Sequence, residues 1–250
     1  MSSAPDPQTH SPSSTSELPP TAGIVVAVDG TSGSGKSSTC RGVAQRLGLA
    51  YLDTGAQYRA MTWWMLEHGV DVHDADAVAA RAGEPDLVSG TDPAGPTITV
   101  DGTDVSAPIR GEAVNGAVSP VATVPAVRAR LVDLQRETIA AALGGRGIVV
   151  EGRDIGSTVA PDAPVKVYLT ADPSARARRR ALEEGGSDAA AVEASLRNRD
   201  QIDSGRATSP LTITDGAVQV DSTDLTLDEV IGLVSGLVVS AATGSAVGSS

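Results

Sequence analysis

Aromatic and basic residues are scarce in this sequence. Its 250 residues include no phenylalanine, three tyrosines and two tryptophans. Such a chain offers few rings on which the bases of a single-stranded nucleic acid could stack. Lysine and arginine number 19 against 31 aspartates and glutamates, so the formal net charge is −12. Because nucleic-acid binding depends on neutralising phosphates, we predict no nucleic-acid partner.

Cysteine and histidine are scarce as well. The single cysteine, Cys40, excludes an internal disulfide and suits a reducing compartment, so we expect a cytoplasmic protein. The three histidines are scattered, and with one cysteine they form no zinc-ligand spacing. We therefore expect that any metal is Mg²⁺, held largely by oxygens and phosphates.

Long apolar segments are also missing. The N-terminus has neither a basic start nor an apolar run, so we predict no signal peptide. The uncharged segment at 230–250 is strongly apolar only over 230–239, whereas a membrane helix needs about 20 such residues. We predict a final amphipathic helix, a flexible tail at 241–250 and no membrane association.

Short apolar runs alternate with helical patterns over residues 23–240, which indicates an α/β fold with a parallel sheet. Residues 1–22 are rich in Ser, Pro and Thr, and we predict a disordered leader there. We predict strands at 24–29, 51–52, 147–150, 165–169 and 217–221. We predict helices at 36–47, 56–68, 124–143, 174–184 and 189–201, with a last helix after the capping-box pair Thr226 and Glu229.

Residues 70–112 show a different pattern of apolar and turn-forming residues from the rest of the chain. A short helical pattern at 75–82 precedes apolar runs at 86–89 and 97–100. The dipeptide Asp101-Gly102 is a hairpin signal. We interpret this segment as a small inserted lobe with antiparallel strands.

The segment from Gly30 to Ser37 reads GTSGSGKS and fits the pattern G-x-x-x-x-G-K-[ST]. An apolar strand precedes it and a helix follows, which is the context in which this pattern binds phosphates. Glycines let backbone N–H groups turn toward phosphate oxygens, and the helix N-terminus attracts their charge. Lys36 is predicted to reach the β- and γ-phosphates of ATP, and Ser37 to ligate Mg²⁺. We predict ATP binding by Gly30, Thr31, Ser32, Gly33, Ser34, Gly35, Lys36, Ser37 and Ser38.

Two other classes of nucleotide-binding protein use the same loop. A GTPase needs a guanine-reading segment such as N-K-x-D, and the second lysine of this chain, Lys166, follows Val165 instead. An ATPase would carry an acidic residue at the end of an apolar strand to orient water. Glu151, after the run IVV, could serve that purpose, so this alternative stays open. Asp29 could cap the loop or act on Mg²⁺, and the sequence does not decide.

Arginines recur beside other polar residues at 53–59, 151–154 and 199–206. Phosphoryl transfer is catalysed mainly by positioning and by charges that stabilise the phosphoryl oxygens. An acceptor that is itself a phosphate needs no general base, but it needs cations to overcome repulsion between two polyanions. Arginine suits this purpose because its planar fork binds phosphate with two hydrogen bonds.

Behind the phosphate-binding loop, the segments DTGAQYR, TDVSAPIR, SPVATVPAVR, EGRDIG, PDAPVKVYL and RDQIDSGRATSPL follow in this order. With them the chain resembles the bacterial cytidylate kinases, which phosphorylate CMP and dCMP with ATP, over about 23–240. The resemblance implies a P-loop NTPase fold with a parallel-sheet core. It also implies a β-rich inserted lobe for the nucleoside monophosphate (NMP) at about 54–122 and a short helical lid at about 176–206. Mg²⁺ is the implied cofactor, and we expect a monomer.

The resemblance also implies roles for individual residues. Arg176 and Arg179 would lie over ATP, and Thr54 stands where the family often has serine. The implied catalytic residues are Lys36, Arg153, Arg199 and Arg206. The implied CMP-binding residues are Thr54, Tyr58, Arg59, Ser119, Arg128, Gly152, Arg153, Asp154, Arg199 and Asp203.

The base-reading roles have a physical basis. Cytosine presents an amino donor and two acceptors, which a carboxylate such as Asp154 and a guanidinium such as Arg128 can pair. Uracil reverses these groups, and leaving buried polar groups unpaired costs about 1–3 kcal/mol each. We therefore expect cytosine to be preferred over uracil.

Structural interpretations stand beside the functional ones. Tyr58 could be a core aromatic, and Cys40 is predicted to be a buried apolar side chain. We predict that Trp63 and Trp64 pack within the lobe, and that Arg178, Arg180 and Lys166 are exposed to solvent. The alternative functions are another small-molecule kinase of the same fold, or a nucleotide-dependent switch or RNA-associated ATPase.

Overall fold

Among the described residues, which are 23–183, 188–206 and 210–244, five parallel strands form the central sheet. The protein is seen here as a computed structural model. The strands lie in the order β2-β6-β1-β7-β8, and each pairs in parallel with its neighbours. They are β1 (Val25–Gly30), β2 (Ala50–Asp53), β6 (Ile148–Glu151), β7 (Val165–Thr170) and β8 (Val218–Asp221). The predicted parallel-sheet core is thus confirmed.

Side chains of β1 alternate between two cores because successive strand residues point to opposite faces of a sheet. Val26 and Val28 pack with helices α1 (Lys36–Leu47) and α8 (Leu227–Ala242). Val25 and Ala27 pack on the other face, against Val132 and Ile139 of α5 (Pro125–Leu143). Burial on both faces explains why the strand reads as a continuous apolar run.

A small antiparallel sheet forms the core of the inserted lobe. Its strands are β3 (Leu87–Ser89), β4 (Ile98–Val100) and β5 (Thr103–Asp104). The β4–β5 hairpin turns at Asp101 and Gly102, whose φ angles are 50° and 76°, as the hairpin signal predicts. This sheet shares a core with α2 (Thr54–Glu67) and α3 (Ala75–Arg81).

The helix α4 (Glu112–Thr123) was not predicted from the sequence patterns. It contains Gly116 and Pro120, which are both poor residues for a helix interior. Packing overcomes this preference, because the apolar side of α4 is buried. This side consists of Val114, Ala117, Val118, Val121 and Ala122. Pro125 then begins α5, where the missing N–H has no cost.

Two helices, α6 (Pro173–Glu183) and α7 (Ala189–Ser204), lie near the phosphate-binding loop. Helix α7 extends three residues beyond its predicted end at 201, and it therefore includes Asp203. Helix α8 begins with the predicted capping box and continues to Ala242, two residues into the predicted tail. No helix within the described ranges is long and apolar enough to cross a membrane. The predicted leader, the loop at 185–187 and the tail from 245 onward lie outside the described residues.

Candidate active site

A cleft of about 910 Å³ opens where β1, β2 and β6 end. Its walls come from the phosphate-binding loop, the inserted lobe, and the helices α6 and α7. Parallel α/β sheets bind their ligands at this edge. The predicted site residues lining it are Ser32, Gly33, Gly35, Lys36, Ser37, Ser38, Thr54, Tyr58, Arg59, Ser119, Gly152, Arg153, Asp154, Arg179, Arg199, Asp203 and Arg206. Those that lie outside its lining are Gly30, Thr31, Ser34, Arg128 and Arg176.

The loop adopts a conformation that depends on its glycines. Gly33 and Gly35 have φ angles of 74° and 86°, in the left-handed region that favours glycine. A Cβ at Gly30 would lie only 1.9 Å from the carbonyl oxygen of Leu169, so no other residue fits there. The buried Lys36 folds back along the loop, and its Nζ donates to the carbonyls of Gly30 at 2.9 Å and Thr31 at 2.7 Å. Burial, together with nearby Arg153, lowers the pKa of Lys36.

Glu151 is the acidic residue at the end of β6, and it is buried. Its Oε2 accepts a hydrogen bond of 3.0 Å from the hydroxyl of Ser37, and its Oε1 accepts one from the hydroxyl of Tyr51. Burial and the neighbouring carboxylate of Asp53 raise the pKa of Glu151. The structure thus joins Glu151 to the residue that was predicted to ligate Mg²⁺. Among the described residues, no cluster of three or more His, Cys, Asp or Glu is suited to a metal.

Helix α2 brings three predicted residues to the cleft. Asp53 caps the helix, since its Oδ1 accepts the N–H of Ala56 at 3.0 Å, and Thr54 is the first helical residue. Tyr58 lies one turn further along the same side, and both line the cleft. Arg59 is anchored by hydrogen bonds from its Nη1 to the carbonyl of Ile109 and to Asn115 Oδ1.

A buried carboxylate organises the arginines of the cleft. Asp203 Oδ2 accepts a hydrogen bond of 2.8 Å from Arg153 Nε, and its Oδ1 pairs with Arg206. Burial acts to raise the pKa of Asp203, but Arg153 and Arg206 outweigh it and hold this pKa below its ordinary value. Arg153, which follows β6, and Arg206, which follows α7, are thereby fixed relative to Asp203.

Arg59 and Arg199 supply further positive charge. Arg199 has no ion-pair partner within the ranges that the structure describes, and it lines the cleft. Burial, followed by the charge of Arg153, lowers the pKa of Arg199 to about 10. Burial also lowers the pKa of Arg59 to about 10. Cations crowded in this way favour an anionic ligand between them.

The predicted base-reading residues form a buried pair. Arg128 Nη2 and Asp154 Oδ2 are 2.5 Å apart, and their side chains are 3% and 7% exposed. The Arg128 guanidinium carbon lies 5.8 Å from the ring centroid of Tyr58, within the range of a cation–π contact. Tyr58 and Asp154 line the cleft while Arg128 lies behind them. Ser119 lines the cleft from α4.

Comparison with known proteins agrees with this geometry. The cytidylate kinase family model matches residues 26–239. The cytidylate kinases of Streptomyces avermitilis and Streptomyces griseus are 57% and 59% identical over 215 residues, which cover 86% of this chain and 92% of each relative. The cytidylate kinase of Mycobacterium leprae is 49% identical over 212 residues, with 83% and 92% covered.

The chain belongs to the cytidylate kinase family. It is therefore a kinase, and the family assignment made from its sequence motifs is confirmed. Most of the residues to which the resemblance assigns roles line one cleft, and their roles stay predictions.

The structural interpretations have mixed outcomes in this kinase. Cys40 is buried, which raises the pKa of its thiol, and Trp63 and Trp64 pack in the lobe core, as predicted. Arg178 is exposed, also as predicted. The prediction for Arg180 is wrong, because α6 turns this side chain toward the cleft, where it is half-buried. Lys166 is half-buried rather than exposed, since its stem packs beside Gly156.

Three polar residues support the site in ways that the sequence did not predict: Asp29, whose role the sequence left undecided, and Asn115 and Asp200, which it did not indicate. Asp29 accepts the N–H groups of Ile155 and Gly156, both at 2.8 Å, and so ties β1 to the segment after Asp154. Asn115 anchors Arg59. Asp200 accepts the backbone N–H of Ser32 in the phosphate-binding loop. Each acts on a residue that is distant in sequence, which no local pattern indicates.

Proposed function

We propose that this kinase transfers the γ-phosphoryl group of ATP in line to CMP and dCMP, producing CDP and dCDP for pyrimidine nucleotide metabolism. One observation carries the proposal: a single cleft joins the phosphate-binding loop to the arginine cluster and to the Arg128–Asp154 pair. The relatives reported above carry the name cytidylate kinase.

On the donor side, the loop N–H groups would bind the phosphates of ATP. Lys36 Nζ, which now donates to two loop carbonyls, would turn its hydrogen bonds toward phosphate oxygens. Arg179 lines the cleft, and its guanidinium donates to the carbonyl of Ser222 at 2.5 Å, which would hold it over the nucleotide. The Ser222 hydroxyl in turn donates to the Ser34 carbonyl at 3.2 Å.

The residues present fit Mg²⁺. The Ser37 hydroxyl and the Glu151 carboxylate are oxygen donors beside the loop, and this ion prefers a few such donors completed by water and phosphates. When bound, Mg²⁺ would neutralise charge on the phosphates and help to align them. Tyr51 would hold Glu151 in place through its hydroxyl.

On the acceptor side, the arginines would compensate the repulsion between the two nucleotides. Arg59, Arg153 and Arg199 would bind the phosphate of CMP, and Arg206 would join them as charge develops. The acceptor phosphate is already an anion, so no general base is required. Asp203, held between Arg153 and Arg206, would face the ribose.

The remaining groups would read the base. Asp154 lines the cleft, and its carboxylate, held by Arg128, would accept a hydrogen bond from the cytosine amino group. Ser119 would pair the other edge of the base. The Arg128 guanidinium, which lies behind Tyr58 and Asp154, would turn into the cleft to pair that edge as well. The helices α6 and α7 would cover the bound nucleotides and exclude water, which competes as an acceptor.

Further properties follow from the same residues. We also expect the active enzyme to be a monomer. The free, buried Cys40 supports a reducing compartment such as the cytoplasm. Size-exclusion chromatography with light scattering would test the monomer.

A panel of acceptors tests the proposed function. ADP release should be measured with ATP, Mg²⁺ and either CMP, dCMP, UMP, AMP or GMP. We expect CMP and dCMP to give the highest kcat/KM. Preference for another monophosphate would contradict the proposal, as would ADP release that needs no acceptor at all.

A further inference from the structure

Ser32 lies in the phosphate-binding loop, and its three polar groups each contact a different element. Its N–H donates to Asp200 Oδ1 at 2.8 Å, and its carbonyl accepts from Arg176 Nη1 at 2.8 Å. Its hydroxyl accepts from Arg153 Nη2 at 2.7 Å. One loop residue therefore connects α7, α6 and the segment that follows β6.

Asp200 and Arg176 complete this connection. Arg176 Nη1 and Asp200 Oδ2 are 2.5 Å apart, and their side chains are 7% and 16% exposed. Arg176 Nε also donates to the carbonyl of Ala171 at 3.1 Å. Neither side chain lines the cleft. They therefore influence bound nucleotides through the residues that they hold.

The two helices also pack directly on the loop. A Cβ at Gly33 would lie 3.2 Å from Leu196 Cδ1 of α7 and 3.4 Å from Arg176 Cβ of α6. The contact leaves little space for α7 to shift along the loop. The Asp200 carboxylate then fixes the position of α7 along the loop, because one of its oxygens accepts the Ser32 N–H and the other pairs with Arg176.

We infer that Asp200 is a positioning residue that fixes where α7 lies relative to the phosphate-binding loop. The same helix carries Arg199, the preceding residue, and Asp203, about one turn further on, and both line the cleft. Asp200 thereby couples the site of the donor phosphates to the residues that face the acceptor. This inference rests on the proposed function only for its kinetic consequence.

Two variants separate the interactions of Asp200. Asp200→Asn keeps one oxygen for the Ser32 N–H but removes the charge that pairs with Arg176. Asp200→Ala removes both interactions. We expect kcat to fall about tenfold in the first and about a hundredfold in the second, because Arg199 and Asp203 lose their alignment. The KM for CMP should rise about threefold or more. The KM for ATP should also rise, by about twofold or more, because Asp200 holds the backbone of Ser32 in the phosphate-binding loop.

Glu193→Ala is the matched control. Glu193 lies on the same helix and also pairs with an arginine, Arg197, at 2.5 Å, but this arginine is 66% exposed. Removing an exposed pair should leave kcat and both KM values unchanged. A double-mutant cycle with Arg176→Gln adds a second check. If Asp200 and Arg176 act as one unit, the double variant should be little worse than either single variant.

Hydrogen exchange tests the inference without requiring activity. In Asp200→Ala, amides of the phosphate-binding loop and of α7 should exchange about tenfold faster or more than in the wild type, while Glu193→Ala should match the wild type. If the wild type fails to phosphorylate CMP, the proposed function fails and the exchange data alone decide this inference. Unchanged exchange in Asp200→Ala would overturn it, and so would faster exchange accompanied by wild-type kcat in an active enzyme.

Discussion

Replacing Asp154 by asparagine would test how this kinase reads its base. The substitution keeps the shape of the side chain and one oxygen, but it removes the charge and adds an amino donor. Asp154 lies against Arg128 at 2.5 Å in a site where both side chains are less than a tenth exposed. The change therefore affects a desolvated ion pair as well as the proposed contact with cytosine.

The size of both effects can be worked from the structure. Removing one partner of a buried ion pair lowers the free energy of unfolding by about 3–5 kcal/mol. Because asparagine retains one oxygen, Asp154→Asn should lower it by about 3 kcal/mol or less. In the cleft, the new amide can donate to the O4 of uracil, while cytosine loses a charged acceptor. An unpaired buried polar group costs about 1–3 kcal/mol, so the CMP-to-UMP ratio of kcat/KM should fall by about ten- to a hundredfold.

The assay is ADP release with CMP and with UMP, combined with urea unfolding of the same preparations. Asp133→Asn is the matched control, because Asp133 is exposed on the helix that carries Arg128. It should change neither the base preference nor the stability. An unchanged CMP-to-UMP ratio in Asp154→Asn would refute the base-reading role of Asp154, even if the variant were less stable.

Two further predictions concern the first strand. Gly30→Ala should lower the free energy of unfolding by about 2 kcal/mol or more, because its Cβ would lie 1.9 Å from a carbonyl oxygen. Gly236→Ala is the control, because a Cβ at Gly236 would meet nothing within 4 Å. Equal urea midpoints for the Gly30→Ala and Gly236→Ala variants would contradict the argument. Burial raises the pKa of Asp29 from 3.8 to about 6, so its ionisation costs stability as the pH rises through that interval. The wild type should therefore lose about 1 kcal/mol between about pH 5 and about pH 7.5 that Asp29→Asn does not lose, and parallel pH profiles in urea would contradict this.

Much of the fold was predictable because its signals are local. The apolar run before Gly30, the glycines of the loop and the helical pattern after Lys36 gave β1, the turn and α1 almost to the residue. The Asp101-Gly102 dipeptide gave the hairpin of the lobe. Helix α4 escaped prediction because Gly116 and Pro120 oppose a helix locally, and only its packing within the folded protein stabilises it.

The site was predictable to the extent that parallel strands gather their carboxyl ends at one edge. The segments after β1, β2 and β6 therefore meet in the cleft. Contacts that join distant segments could not be predicted. Arg153 and Asp203 are 50 positions apart, and Ser32 and Asp200 are 168 apart. No periodicity or motif encodes such pairs.

The most direct test of the central claim follows the fate of the labelled γ-phosphate of ATP. With wild-type enzyme, Mg²⁺ and CMP, we predict that the label appears in CDP. In Lys36→Ala, transfer should be lost while circular dichroism and the urea midpoint stay close to those of the wild type. Label that accumulates as inorganic phosphate instead of CDP would contradict the account, and so would a Lys36→Ala variant that retains most of its turnover.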